Sequence, residues 1–184
     1  MIKKVSVSLP LNKKFLDEIL KLSEKLKQNF SLNFNKDLLC RYHINLFSGK
    51  LYNIQDLKDK ILNLKLFNSS TSLNLFGFGI FLSKNLNIHL RFSSESFLLE
   101  IRKFLFFYQD IWENIDATVK ENMWVAKSTI FNRNLLIENN SFIEVLKFLE
   151  NWKFSSKKIN FEEICLIDYS NNSEKEIGSY KLLR

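Results

Sequence analysis

The stretch Tyr42-His43-Ile44-Asn45-Leu46 contains one of the two histidines of the chain and alternates polar with apolar residues, as a short β-strand does. Successive strand side chains point to opposite faces, so His43 and Asn45 would share one face while Ile44 and Leu46 enter a core. An imidazole beside an amide could bind and protonate an anion. Two ordinary polar residues on a solvated strand face would give the same pattern, so the stretch alone leaves both interpretations open.

The composition indicates a globular protein with one domain spanning residues 1–184. Hydrophobic residues make up 46% of the chain and include 18 phenylalanines, which argues against disorder. The formal charge of +7 favours an anionic partner. However, 22 lysines, 5 arginines and 21 asparagines indicate compositional drift. Lysines spread over a surface raise the isoelectric point without forming a nucleic-acid groove, so we give the charge little weight.

Cysteine usage and hydropathy indicate a cytoplasmic location. Cys40 and Cys165 are too few and too far apart for a disulfide framework, and both lie in apolar stretches typical of buried thiols. Cys40 and His43 have ligand-like spacing, but no second ligand pair completes a zinc site, so we expect no metal or other cofactor. The start of the chain lacks a signal-peptide block, and no apolar run approaches membrane-spanning length. We expect a monomer without a membrane partner.

Hydrophobic periodicity predicts an α+β protein. The predicted helices cover about 12–28, 53–65, 94–111 and 141–152, and the predicted strands cover about 2–9, 42–49, 71–82, 86–92, 123–131, 158–168 and 176–183. The last two strands flank a polar turn and form a hairpin. Helices that fall between antiparallel pairs favour α+β over a doubly wound parallel sheet.

Two segments resemble a known pair of motifs. His43-Ile44-Asn45-Leu46 and Lys127-Ser128-Thr129-Ile130 lie 84 positions apart, and they resemble the two His-x-[Thr/Ser]-x motifs of the 2H phosphoesterase superfamily. That group includes the RNA cyclic phosphodiesterases often called 2′-5′ RNA ligases. The glycine- and phenylalanine-containing stretch 75–81, Trp124 and the closing hairpin are similar to other family features. The resemblance implies one bilobal domain, with two pseudo-symmetric lobes of antiparallel β-sheet, helices on the outer faces and a central cleft.

The sequence departs from the family pattern at three positions. Lys127 stands where the second histidine is expected, Asn45 stands where the first hydroxyl is expected, and Ala126 replaces a frequent proline. In the intact pattern two histidines act as base and acid on a phosphodiester while two hydroxyls bind its oxygens. His43 keeps the ability to exchange a proton near neutral pH. Lys127 is a poor general base unless strongly desolvated, but it is a good charge for a phosphate or an acid for a leaving oxygen.

The resemblance therefore assigns His43 to proton transfer, Lys127 to electrostatic catalysis, and Asn45 and Thr129 to phosphate binding through an amide and a hydroxyl. Tyr42 and Phe131 neighbour the motifs and could stack on a base, and Arg91 could contribute to an anionic pocket. The plainer interpretations stand beside these assignments. A single strand histidine is more often structural than catalytic, and Lys-Ser-Thr on a strand is usually a solvated edge. His89 has no motif around it, so we treat it as structural.

Three functional hypotheses follow. The first is a 2H-like phosphoesterase acting on a cyclic or 2′-linked phosphodiester of RNA or a nucleotide, with no metal required. The second is a catalytically degenerate protein that binds a nucleotide or an RNA phosphate and turns nothing over. The third is a scaffold whose cleft has lost any ligand. We rank the enzyme ahead of the binding protein because His43 is retained. The margin is small because the partner of His43 is a lysine.

Overall fold

The strand that carries His43 pairs antiparallel with the N-terminal strand, and the rest of the fold extends from this pair. A computed structural model describes residues 3–30, 42–64, 71–82, 86–93, 95–119, 124–133, 139–171 and 173–182. The elements are β1 (Lys3–Pro10), α1 (Lys13–Phe30), β2 (His43–Leu51), α2 (Ile54–Leu62), β3 (Ser72–Leu82), β4 (Leu86–Phe92), α3 (Ser96–Phe107), β5 (Trp112–Ile115), β6 (Lys127–Arg133), α4 (Asn139–Asn151), β7 (Lys158–Asn160), β8 (Glu163–Asp168) and β9 (Lys175–Lys181). Short 3₁₀ helices, Gln109–Ile111 and Ala117–Val119, flank β5.

The described strands form two antiparallel sheets. The first sheet has the order β5-β2-β1-β8-β9, and the second has the order β6-β4-β3-β7. Each sheet contains one of the two motif strands, β2 in the first and β6 in the second. The α+β, two-lobed architecture is thereby confirmed, and so is the closing hairpin of β8 and β9.

The alternation of the motif strands places their apolar side chains in the core. Ile44 and Leu46 are fully buried from β2, and Ile130 is buried from β6. The polar residues that alternate with them are half-buried on the other face, namely His43, Asn45, Lys127 and Thr129. Ser128 shares the face of Ile130 and is buried. The predicted stripe of α1 is buried as well, and Asn12 caps this helix by accepting a hydrogen bond from the Phe15 backbone. Most of the described buried apolar residues form one contiguous cluster.

The helix predicted to run to residue 111 is shorter in the structure. α3 ends at Phe107, and the residues from Trp112 onward form β5, which adds a strand to the edge of β2. Gly49 makes this pairing possible, because a Cβ at that position would lie 2.1 Å from the Asn114 carbonyl oxygen. Gly49 therefore lies inside β2 rather than closing it.

The segment 158–168, predicted as one strand, forms two. β7 pairs with β3 in the second sheet, and β8 pairs with β1 in the first. The chain crosses from one sheet to the other between Asn160 and Glu163. Cys165 is buried on β8, as expected, whereas Cys40 lies outside the described residues. In the described part of the chain, every helix is too short or too polar to cross a bilayer.

Candidate active site

Residues from both sheets line a cleft with a volume of about 560 Å³. The lining comprises Tyr42, His43, Asn45, Phe81, Thr118, Val119, Trp124, Val125, Lys127, Thr129 and Glu174. The four predicted motif positions are therefore brought together, although they come from different sheets. Among the predicted neighbours of the motifs, Tyr42 is also present in this lining.

His43 begins β2 and faces a carboxylate. Its Nδ1 atom lies 3.9 Å from Oε2 of Glu174, and the two side chains are 13% and 21% exposed. Glu174 directly precedes β9. A carboxylate on this side of the ring favours a proton on Nδ1, so Nε2 is the nitrogen suited to exchange a proton with a ligand.

Asn45 is held at both its backbone and its side chain. Its carbonyl oxygen accepts a hydrogen bond of 2.9 Å from Nε1 of Trp124. Its side-chain Nδ2 lies 3.2 Å from Oγ of Ser48, which in turn donates to Asp116 over 2.7 Å. Tyr169 donates to the same carboxylate oxygen over 2.7 Å. Burial, followed by the hydrogen bond to Asp116, raises the pKa of Tyr169 far above its ordinary range, so this phenol stays protonated.

A buried arginine supports this part of the cleft from α3. Arg102 is 5% exposed and donates to the carbonyl oxygens of Leu46 and Val119, at 2.5 Å and 2.8 Å. Its guanidinium lies 4.1 Å from the centre of the Trp124 ring. Trp124 therefore joins the arginine to the backbone of β2 and also lines the cleft.

Lys127 begins β6 on the opposite wall. Its ammonium nitrogen lies 4.3 Å from the centre of the Phe81 ring, which is 47% exposed. Burial lowers the pKa of Lys127 from its ordinary value of 10.5. Phe81 also stacks on His89, with ring centres 4.6 Å apart and 24° between the planes. The lysine is thus a desolvated cation that lies against an aromatic side chain at the cleft.

The remaining predicted residues differ in their positions. Thr129 lies on the cleft, two residues after Lys127. Tyr42 is 8% exposed, and burial raises the pKa of its hydroxyl. Arg91 pairs with Lys127 across β4 and β6 but is exposed outside the cleft lining. Phe131 lies on β6, and its side chain falls outside the described part of the chain.

Phe81 and Glu174 are lining residues that the sequence did not identify. Phe81 lies two positions after Gly79 on β3, so the two residues share one face of the strand. This pair of a small and an aromatic residue is the sequence feature that could have indicated Phe81. Glu174 follows a polar turn and has no local signal, because its position depends on the pairing of β8 with β9. Within the described ranges, no group of three or more His, Cys, Asp or Glu side chains is arranged to hold a metal ion.

Comparisons with known proteins agree at the level of structure. No protein-family model matches the sequence, and no curated protein does either. The crystal structure of E. coli LigT complexed with ATP is 9% identical, with a TM-score of 0.60, and the match covers 100% of this chain and 99% of LigT. The structure of Kluyveromyces marxianus Usb1 is 12% identical, with a TM-score of 0.50, and the match covers 96% of this chain and 97% of Usb1.

Both neighbours are 2H phosphoesterases. This chain has the same fold as LigT. The resemblance inferred from two short motifs is therefore confirmed in the fold, over nearly the whole length of both neighbours. Within that fold, two of the three departures from the family pattern, Asn45 and Lys127, line the cleft, whereas Ala126 is buried.

Proposed function

We propose that this protein is a 2H-like phosphoesterase that acts on a cyclic or 2′-linked phosphodiester of RNA or of a nucleotide. One observation carries the proposal: strands from separate sheets bring His43, Asn45, Lys127 and Thr129 to a single cleft. The 2H phosphoesterase fold supports the same reaction class, and the LigT structure of that fold contains ATP. An imidazole, a desolvated ammonium and a hydroxyl together suit a phosphodiester.

In this proposal His43 is the base and Lys127 the acid. Nε2 of His43 takes a proton from water as the water oxygen bonds to phosphorus. The bond from phosphorus to the leaving ribose oxygen breaks, and that oxygen takes a proton from the Lys127 ammonium. The lysine charge and the Thr129 hydroxyl stabilise the phosphoryl oxygens. Proton exchange with solvent then restores both groups. Because burial lowers the pKa of Lys127, its ammonium is a stronger acid than a solvated lysine.

A second candidate is a degenerate protein that binds the phosphate without turnover. The observation that favours it is Lys127 at the cleft position where the motif has histidine. A lysine that keeps its proton throughout supplies charge but cannot complete a proton cycle. Binding and turnover therefore have to be measured on the same preparations.

The experiment measures turnover and affinity with 2′,3′-cyclic AMP and a 2′-5′-linked diadenosine. The parent is compared with His43→Ala, Lys127→His and the control Lys103→Met, which removes one exposed positive charge on α3. We expect parent turnover, a loss of about 10²–10⁴-fold in kcat/KM for His43→Ala, and parent-like turnover for Lys103→Met.

The alternative outcomes separate the candidates. An inactive parent that binds the nucleotides, with turnover gained in Lys127→His, would support the degenerate binding protein. An active parent whose turnover survives in His43→Ala would refute the assigned base. No binding and no turnover in any variant would overturn both candidates.

A further inference from the structure

The cation of the cleft lies against an aromatic ring. The ammonium nitrogen of Lys127 is 4.3 Å from the centre of the Phe81 ring, and both residues line the cleft. The side chain of Lys127 is half-buried. In the part of the chain that the structure describes, no carboxylate forms an ion pair with this ammonium. Its partner is therefore a ring face rather than an anion.

The Phe81 ring is supported by a buried histidine. The rings of Phe81 and His89 stack with centres 4.6 Å apart and 24° between the planes. His89 is 2% exposed, and its Nδ1 atom lies 3.2 Å from Oδ1 of Asn87. Gly79 pairs with His89 across β3 and β4, and a Cβ on Gly79 would lie 2.2 Å from Nε2 of His89. The absence of a side chain at Gly79 therefore makes room for the imidazole that supports Phe81.

The other charged groups near Lys127 do not favour its charge. Arg91 pairs with Lys127 across β4 and β6 and adds a second positive charge. His89 is neutral at neutral pH, because burial, followed by the charges of Lys127 and Arg91, lowers its pKa to about 4. Burial also lowers the pKa of Lys127. The negative face of an aromatic ring attracts a cation and opposes these effects. The titratable groups elsewhere in the described lining of the cleft are Tyr42, His43 and Glu174.

A ring and a carboxylate differ as partners of an ammonium group. A carboxylate oxygen accepts hydrogen bonds from the ammonium and so competes with a phosphate for the same donors. A ring face attracts the charge without an oxygen acceptor, which leaves the N–H donors available to a ligand. Phe81 can therefore hold Lys127 in place without occupying the donors that a phosphodiester needs.

Resting on the proposed function, we propose that Phe81 is the positioning residue of Lys127, and that its ring holds the ammonium charged at the wall of the cleft with its N–H donors free for the ligand. The step that this contact serves is the proton transfer from Lys127 to the leaving ribose oxygen, which requires the ammonium form. His89 and Gly79 act through Phe81, because they fix the position of the ring.

The pH profile of kcat/KM with 2′,3′-cyclic AMP tests the proposal. Activity that needs the Lys127 ammonium falls as pH rises through the pKa of this lysine. Phe81→Leu keeps apolar bulk and removes the ring, which destabilises the charged form and lowers that pKa. We therefore expect the alkaline limb of the profile to move down by about one pH unit. Phe81→Tyr keeps a ring and should not move the limb down.

Phe76→Leu is the matched control. Phe76 is another phenylalanine of β3, it is 72% exposed, and it lies outside the described lining of the cleft. The same substitution at this position should leave the alkaline limb of the parent unchanged.

A second measurement does not depend on turnover. In protein labelled with ¹³C at the lysine Cε atoms, the Lys127 resonance is identified by its loss in Lys127→Arg. We expect the ring current of Phe81 to shift the attached protons upfield in the parent and in Phe81→Tyr, but not in Phe81→Leu. The same resonance should titrate about one pH unit lower in Phe81→Leu than in the parent.

Absence of the ring-current shift in the parent would overturn the inference, and this measurement needs no variant to fold. An alkaline limb that stays in place or moves up in Phe81→Leu, or that moves down equally in Phe81→Tyr, would also overturn it, while an active parent would leave the proposed function standing. A parent that neither binds nor turns over the nucleotides would overturn the proposed function instead. The ring-current shift would then still decide whether Phe81 holds the Lys127 ammonium.

Discussion

His89 lies opposite Thr129 in the pairing of β4 with β6, and it is 2% exposed. Burial, followed by the positive charges of Lys127 and Arg91, lowers its pKa from 6.5 to about 4. Its Nδ1 atom lies 3.2 Å from Oδ1 of Asn87, and its ring stacks on Phe81. The residue is therefore a neutral packing partner at neutral pH, which agrees with its structural assignment from the sequence.

This depressed pKa predicts an acid-dependent loss of stability. The unfolded chain takes up a proton at His89 near pH 6.5 while the folded chain does so near pH 4, so stability falls as pH drops through this interval. Between pH 7 and pH 4.5, a shift of this size corresponds to a loss of roughly 2–3 kcal/mol. Urea unfolding of the parent at pH 7 and pH 4.5 should show this loss in excess of that of His89→Asn. His43 and the carboxylates are common to both proteins and cancel in the difference. Parallel pH profiles for the two proteins would contradict the prediction.

At the scale of elements, the motif strands were predictable because their signal is local. Alternation placed Ile44 and Ile130 in the core and left His43 and Lys127 on the other face. β5 was not predictable in this way. The apolar spacing of α3 continues through Ile111, and nothing in residues 112–115 themselves indicates a strand. These residues form a strand because they pair with the open edge of β2. The two backbones can approach this closely only because Gly49 has no side chain.

The dependence on pairing between distant segments also limits what the sequence predicts about the cleft. His43 and Thr129 belong to short motifs and could be identified, whereas Phe81 and Glu174 reach the cleft through sheet pairing and lie at no fixed spacing from the motifs. The Asn45 side chain is linked through Ser48 to Asp116, which is 71 positions away from Asn45 along the chain. Sequence patterns indicated which strands form the cleft. They did not indicate which distant residues line the cleft or hydrogen-bond to the motif residues.

Gly49→Ala tests the close contact between β2 and β5. The added Cβ meets backbone atoms of Asn114, which cannot rotate away as a flexible side chain would. We expect a destabilisation of about 1–3 kcal/mol in urea unfolding, together with faster amide hydrogen exchange in residues 112–115. The neighbouring exposed Lys50 provides the control, since Lys50→Ala should change stability by less than about 0.5 kcal/mol. Unchanged stability in Gly49→Ala would show that β5 does not pair at this distance.

At the scale of the whole molecule, the described lining of the cleft carries little of the +7 charge. The charged side chains in its described lining are Lys127 and Glu174, which offset each other, beside the titratable His43. The lysines were expected from the sequence to be spread over the surface, and the described lining is consistent with that expectation. If the proposed function holds, we expect recognition in the cleft to depend on individual donors and acceptors more than on a broad basic field.

The two sheets are also joined by α1 and α4, away from the cleft lining. α1 connects β1 with β2 of the first sheet and contacts α4, which packs on β3 of the second. Phe15 of α1 stacks on Phe154, with ring centres 4.9 Å apart, and Phe154 lies 5.6 Å from Phe78 of β3. Glu18 accepts a hydrogen bond from the Ser155 backbone over 2.7 Å. These contacts connect the sheets that carry the two motif strands.

A double-mutant cycle measures how strongly this junction holds the sheets together. Phe15→Ala should destabilise by about 3 kcal/mol because the ring is 3% exposed, and Phe154→Ala should cost less because its ring is half-buried. In urea unfolding we expect a coupling energy of about 0.5–1.5 kcal/mol between the two substitutions, since each removes a partner of the same stacked pair. Phe107 is 77% exposed on α3, so a cycle of Phe15→Ala with Phe107→Ala should be additive. Additive behaviour in the Phe15–Phe154 cycle as well would mean that the stacked pair contributes nothing beyond the separate burial of its rings.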